Sequence, residues 1–418
     1  MLYATCESST PEALADLQLR IGRAAAVRIA RAARTARVAR LAQGARITRF
    51  ARVARLVRLT RQGRLPRVEP LLLALLLVSG ATLQAAAAQS GPTATAAQPG
   101  AGYHLVKTLA VGGDGGWDYL AVDGAARRLY VTRGSHVMVI DVDSGKVAGD
   151  IPNLSGVHGV AVADDLGRGF ISNGRSDQVT VFDLKTLQVL AQLKSTGQNP
   201  DAILYDPATH RVFAFNGRSA SATVFEGATG KLAGTIALGG KPEFAASDRQ
   251  GGVFVNIEDK NQVVRIDAAK LTAGTPWPLA GCDEPSGMAI DAAHQRLVIG
   301  CGNEVSLIVD SANGRVVAKL PIGKGVDANG FDPGTGLGFA SNGEGTLTVL
   351  REESPDRWTV AANAPTRRSA RTMAVDEKTH TVYLAAADFG PPPPPTAAEP
   401  HPRPALLPGS FVILVVGP

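Results

Sequence analysis

The chain has 418 residues, including 46 Gly and 26 Pro, with only 5% aromatics and a net charge of +6. This Gly and Pro load over this length argues against helix bundles and for many short strands joined by tight turns. The positive charge is local: residues 1–67 hold fifteen Arg against Glu7, Glu12 and Asp16, whereas the rest holds 28 basic and 34 acidic side chains, which argues against a nucleic-acid partner for the later residues.

Arg recurs at every third position from Arg28 to Arg67, broken only at Gln43. On a helix each such step advances about 300°, so charge spirals over every face and no apolar face persists. A membrane-lying amphipathic helix is not expected. The triplet regularity is what a translated nucleotide repeat produces. Next, Arg64 and Arg67 precede an apolar run, Leu71–Leu83, and the small residues Ala86, Ala87 and Ala88. These are the n-region, h-region and cleavage site of a secretory signal. The run is short of the ~20 residues that span a bilayer. A buried strand or helix would need something to pack on, and Ser90–Gly102 is a polar Gly/Pro/Ala/Thr linker. The expected organisation is therefore a leader (1–64) absent from the mature protein, a signal peptide (65–88) cleaved near Ala88, and a linker (89–102). The expected location is the periplasm or the exterior, without an integral membrane segment.

From residue 103 a repeat takes over. Each copy has an apolar strand ending in Asp, a turn, an aromatic-led strand ending in small residue–Asn–Gly, and then a "VxVxD" strand with a Gly-Lys turn. The first reads "WDYLAVDGAARRLYVTRGSHVMVIDVDSGKV". The anchor falls at Asp123, Ala163, Asp206, Asp248, Asp291, Asp332 and Asp376, with spacings of 40, 43, 42, 43, 41 and 44. Seven alternating copies at this period predict an all-β fold, a seven-bladed β-propeller of four-stranded blades. Tyr103–Val111 resembles a fourth strand that precedes the first complete copy. The last copy runs through "MAVD", "TVYLAAA" and Phe411–Val416 and stops one strand short. The N-terminal strand is expected to complete this last blade, removing exposed edges. A Pro-rich stretch, 390–409, interrupts the same blade as a surface insertion loop.

The motifs Tyr130-Val131-Thr132-Arg133, Phe170-Ile171-Ser172-Asn173, Phe213-Ala214-Phe215-Asn216 and Phe339-Ala340-Ser341-Asn342, with a shorter-turn copy Val253-Phe254-Val255-Asn256, resemble the YncE-like YVTN-repeat β-propeller family. The resemblance covers residues 103–418 and departs at Arg133, Cys301 and Ala386, where the Asn is missing. It implies a secreted or periplasmic propeller and is weak on activity.

Five residues before each anchor stand Asp118, His158, Asp201, Glu243, Ser286, Asp327 and Arg371. All are polar, four are carboxylates, and equivalent positions converge at the mouth of a propeller's channel. Two readings stand. One is a hard-cation site for Ca²⁺ or Mg²⁺, with Asp118, Asp201, Glu243 and Asp327 as ligands. A metal there would support lactone or ester hydrolysis, with His158 as base and Arg371 holding an anion. The other is a solvated polar funnel whose carboxylates pair with Arg371, Arg367 and Arg368. Asn173, Asn216, Asn256, Asn303 and Asn342 reach the same face, as funnel residues or as turn formers beside Gly. His210, His294 and His380 repeat in one turn on the opposite face and read as turn chemistry. Cys282 and Cys301 fall in one blade and are close enough in sequence to be bridged or to stay as two thiols.

The expected function is an exported binding or scaffold protein, a monomer, that takes a small ligand or a protein at this funnel, with no catalysis. A metal-dependent, lactonase-like hydrolase is the alternative. A nucleic-acid-binding propeller is a second one, disfavoured by the charge of about −5 after residue 88.

Overall fold

The computed structural model describes residues 102–113, 115–395, 402 and 404–418. The Arg-rich leader, the signal peptide and most of the linker lie outside the described residues. The rest forms seven antiparallel sheets, six of them built from strands consecutive in sequence. The innermost strands are Leu120–Asp123, Val157–Ala163, Pro200–Asp206, Pro242–Ser247, Pro285–Asp291, Val326–Asp332 and Met373–Asp376. Each adjoins the next, and the last adjoins the first, closing a ring. This is the seven-bladed β-propeller that the repeat predicts. Among the described residues no helix is long and apolar enough to cross a membrane.

The alternation of Val, Ile, Leu and Phe explains the layering. Second and third strands, such as Arg211–Asn216 and Ser221–Glu226, are buried on both faces because neighbouring blades sandwich them. Fourth strands, such as Val189–Lys194, lie at the rim and are mostly exposed. Between blades one and two, Tyr130 meets Phe182 at a centroid separation of 5.6 Å. In blade four the fourth strand is broken into Thr272–Ala273 and Trp277–Pro278, both paired with Gln262–Asp267.

Blade seven closes the ring. Its strands run Met373–Asp376, Thr381–Ala386, Val412–Gly417 and finally the N-terminal His104–Leu109, with Leu105 opposite Val416 and Leu109 opposite Ile413. The chain leaves that outer strand and enters blade one through Gly112–Gly115. There Arg133, fully buried, donates to the carbonyls of Gly112, Gly113 and Gly115, each at 2.9 Å. Its guanidinium lies 3.6 Å from the centroid of Phe411, beside the third strand of blade seven. The departure from the repeat at Arg133 therefore falls where the chain entering blade one passes the third strand of blade seven.

The anchor carboxylates cap the turns that follow and fasten one blade to the next. Asp206 accepts from Thr209 and from Ser247 of blade four. Asp332 accepts from Thr335 and contacts His380 of blade seven at 2.7 Å. Asp376 accepts from Thr379 and from Arg127 of blade one. His210 and His380 are left-handed turn residues, with φ of 53° and 57°. His294 is not their equivalent, since that place belongs to Gln295 with φ of 57°. His294 stands one residue earlier, between Asp291 at 2.6 Å and Glu352 at 3.0 Å.

Candidate functional site

The seven residues of the predicted ring all sit where the inner strands begin, at one mouth of the channel. His158 Nδ1 lies 2.7 Å from Asp118 Oδ2 and 3.4 Å from Asp201 Oδ1, linking blades one, two and three. Across blades five to seven, Ser286 donates to the backbone carbonyl of Asp327 at 3.0 Å, and Arg371 Nη1 lies 3.3 Å from Asp327 Oδ2. Glu243, from blade four, lies 3.4 Å from Lys241 and accepts from Tyr119 of blade one at 3.3 Å. Arg367 does not join the ring and pairs with Asp388 instead.

Tyr119 and Phe244 each follow a ring residue on its inner strand. They come from opposite sides of the propeller, and their rings meet at a centroid separation of 4.5 Å. An aromatic pair thus spans the channel directly beneath the carboxylates. A cavity of about 800 Å³ lies instead at the opposite mouth, walled by Val162, Leu204, Ile290 and Phe331 with Asp164 and Arg249 nearby. Its size does not make it the chemical site, because the converging ionisable groups are at the other end.

Electrostatics in the ring follow from partial burial. Burial and the nearby Asp118 push the Asp201 carboxyl up to about 6, against the pull of His158. Burial and the Asp201 charge push Glu243 up to about 8. Burial also raises Asp327, with Arg371 opposing it. Burial works against charge on His158, yet its bond to Asp118 and the neighbouring Asp201 hold its titration above the ordinary value. The two flanking acidic groups thus favour protonation of His158. A divalent cation would compete with that proton, since the ligand atoms of Asp118, His158 and Asp201 lie within 4.8 Å of one another.

The asparagines behave differently from the funnel assignment. Asn173, Asn216 and Asn342 are buried inside their own blades, each donating at 3.0 Å to a third-strand threonine: Thr180, Thr223 and Thr348. They are clasps between second and third strands, not funnel residues, because their strand position points between blades. Asn256 does not match them. The strand pairing of Pro200 with Asn216 corresponds to that of Pro242 with Ile257, so Asn256 is one residue early and faces the other way. Its amide donates to the carbonyl of Ser286 at 2.7 Å. Asn303 is exposed and holds the loop around Gly281 and Asp283. In blade five Cys301 occupies the clasp position, opposite Pro285, and is joined to Cys282 by a disulfide with a Cα–Cα distance of 5.3 Å.

The register reveals a role that motif reading missed. The position just before the clasp holds Ser172, Asn256 and Ser341. Each donates to the backbone carbonyl of the ring residue in the next blade: Asp201, Ser286 and Arg371 respectively. These second-strand side chains set the backbone from which the ring projects. For Ser172 and Ser341, the small polar residue before Asn–Gly was the available signal. Gly174 acts similarly: a Cβ there would stand 2.5 Å from His158 Nε2, so glycine leaves room for the imidazole.

No family model and no curated protein matches this sequence. Solved structures match in number, so the fold is a common one. One is a chain of the Kuenenia stuttgartiensis hydrazine synthase, with a TM-score of 0.56 and 15% identity, covering 64% of this chain and 92% of that one. Another is a chain of a mitotic checkpoint complex, with a TM-score of 0.60 and 15% identity, covering 68% of this chain and 89% of that one. At such identity the likeness speaks for the fold alone. The fold is that of β-propellers, a class consistent with binding and scaffolding.

Proposed function

We propose that this chain is an exported binding propeller whose acidic throat takes a ligand bearing a cationic group. The observation that carries the reading is the convergence of Asp118, Asp201, Glu243 and Asp327 above the aromatic floor of Tyr119 and Phe244. Burial pushes the Asp201, Glu243 and Asp327 carboxyls above their ordinary range, so a cation brought to them, at an aromatic face, favours their charged form. Export is supported by the signal-like run before residue 89 and by a buried disulfide, which suits an oxidising compartment. The repeat motifs support the YVTN-type relationship.

The test is calorimetric titration of the segment 89–418 with benzyltrimethylammonium. Saturable binding that weakens about tenfold or more in Asp201→Asn and Glu243→Gln supports the reading. No saturation in the intact protein overturns it.

A second reading is favoured by the Asp118–His158–Asp201 grouping: a divalent ion held there would polarise a lactone carbonyl and acidify a bound water. It expects retained metal and lactone turnover that Asp118→Asn and Asp201→Asn both abolish. Failure to take up metal at millimolar Ca²⁺ or Mg²⁺ removes it.

A further inference from the structure

We infer that the insertion in blade seven builds a second ligand site beside the throat, shaped for a small organic anion with an aromatic or branched apolar body. The insertion starts and ends in a short ladder. Phe389 pairs with Leu406, Gly390 donates to the Ala405 carbonyl at 2.8 Å, and Leu407 donates to the Asp388 carbonyl at 2.8 Å. Arg367 pins Asp388 from the neighbouring loop. This short ladder stands over Trp117, which is braced by Phe411 at 5.3 Å and faces Phe389 at 6.0 Å. Between them lies a cavity of about 380 Å³ walled by Trp117, Phe389, Pro404, Leu406 and Arg371. That volume is at the small end of ligand pockets and fits a single ring or a short branched chain.

Three features argue for an anion with an apolar body. Phe389 is 41% exposed, and covering it removes apolar surface from water. The Arg371 side chain is 50% exposed and reaches Asp327 through Nη1 at 3.3 Å. Its other guanidinium nitrogens make no ion pair with a described residue, so a planar carboxylate has donors to meet. Arg371 also belongs to the ring, so the two sites adjoin at this residue. The anion site is distinct in sign from the throat and can stand or fall without it.

Titration of segment 89–418 with phenylacetate tests this, with phenylacetamide and acetate as the uncharged and body-less comparisons. Saturable phenylacetate binding is expected, about tenfold or more weaker for phenylacetamide, with none for acetate. Arg371→Met and Leu406→Asp should each weaken phenylacetate about tenfold or more, while Asp201→Asn leaves it within about twofold. Leu406 lies on the insertion, so its variant tests the pocket without touching the ring. Absence of saturation in the intact protein, or binding by Arg371→Met or Leu406→Asp as tight as that of the intact protein, overturns the inference. Loss in Asp201→Asn alone assigns the binding to the throat and overturns it too.

Discussion

Individual side chains in the throat contribute to how this protein responds to pH. Asp201 near 6 and Glu243 near 8 both titrate above the ordinary carboxyl range. The folded state therefore holds protons that the unfolded chain releases at about pH 4. Their favourable contribution is complete below that point and is lost as pH rises through 6 and 8. His158, also raised, acts in the same direction. Tyr119 and Lys241 face Glu243, and Lys241 also pairs with Glu258. The melting temperature is expected to fall between pH 5 and 8.5, and Glu243→Gln to flatten the upper half of that fall. Thermal melting across this range checks it, and an unchanged slope in Glu243→Gln contradicts it. The ring positions were legible in the sequence because the repeat placed seven polar residues at one offset. Which of them touch was not, since His158 bridging Asp118 and Asp201 depends on the curvature of the ring.

At the scale of strands, one position is filled by Arg133, Asn173, Asn216, Ile257, Cys301, Asn342 and Ala386 in the seven blades. Three blades use an Asn–Thr clasp, and blade five uses the Cys282–Cys301 disulfide in the same place. Asn216 also accepts from Ser195 at 2.7 Å, so Asn216→Ala leaves several buried groups unbonded. A loss of about 2–3 kcal/mol is expected from denaturant unfolding. Thr223→Val should cost about as much as Asn216→Ala if the clasp acts as a unit, and the double variant should cost less than the sum. Opening the disulfide, which spans 19 residues, should cost about 2–4 kcal/mol, seen as a lower denaturation midpoint with reductant. The motif Phe-Ala-Ser-Asn-Gly announced a turn, yet the Asn works inward. Sequence alone could not separate these because a turn-forming and a clasping Asn look alike. The one-residue offset of Asn256 appears only when strand partners are known, and a shift of one residue moves a side chain to the other face.

For the whole molecule, closure is the decisive feature. His104–Leu109 pairs with Val412–Gly417, and Arg133 ties the chain entering blade one to Phe411 of blade seven. Arg133→Met removes three carbonyl contacts and the contact with Phe411, and is expected to cost about 3–5 kcal/mol. Starting the chain at residue 111 instead of 89 leaves Val412–Gly417 as an open edge, so loss of cooperative melting and self-association on gel filtration are expected. The repeat period, the count of seven and the sharing of the last blade were determined by sequence alone, because alternation and turn chemistry are local and recur. The tertiary structure decided the rest: the meeting of Tyr119 with Phe244, the inward clasps, the disulfide in a clasp's place and the cavity beside the insertion. The aromatic pair and the pocket join residues from different blades and distant loops, so their meeting depends on the radius of the closed ring; the clasps and the disulfide lie within single blades and depend on strand register.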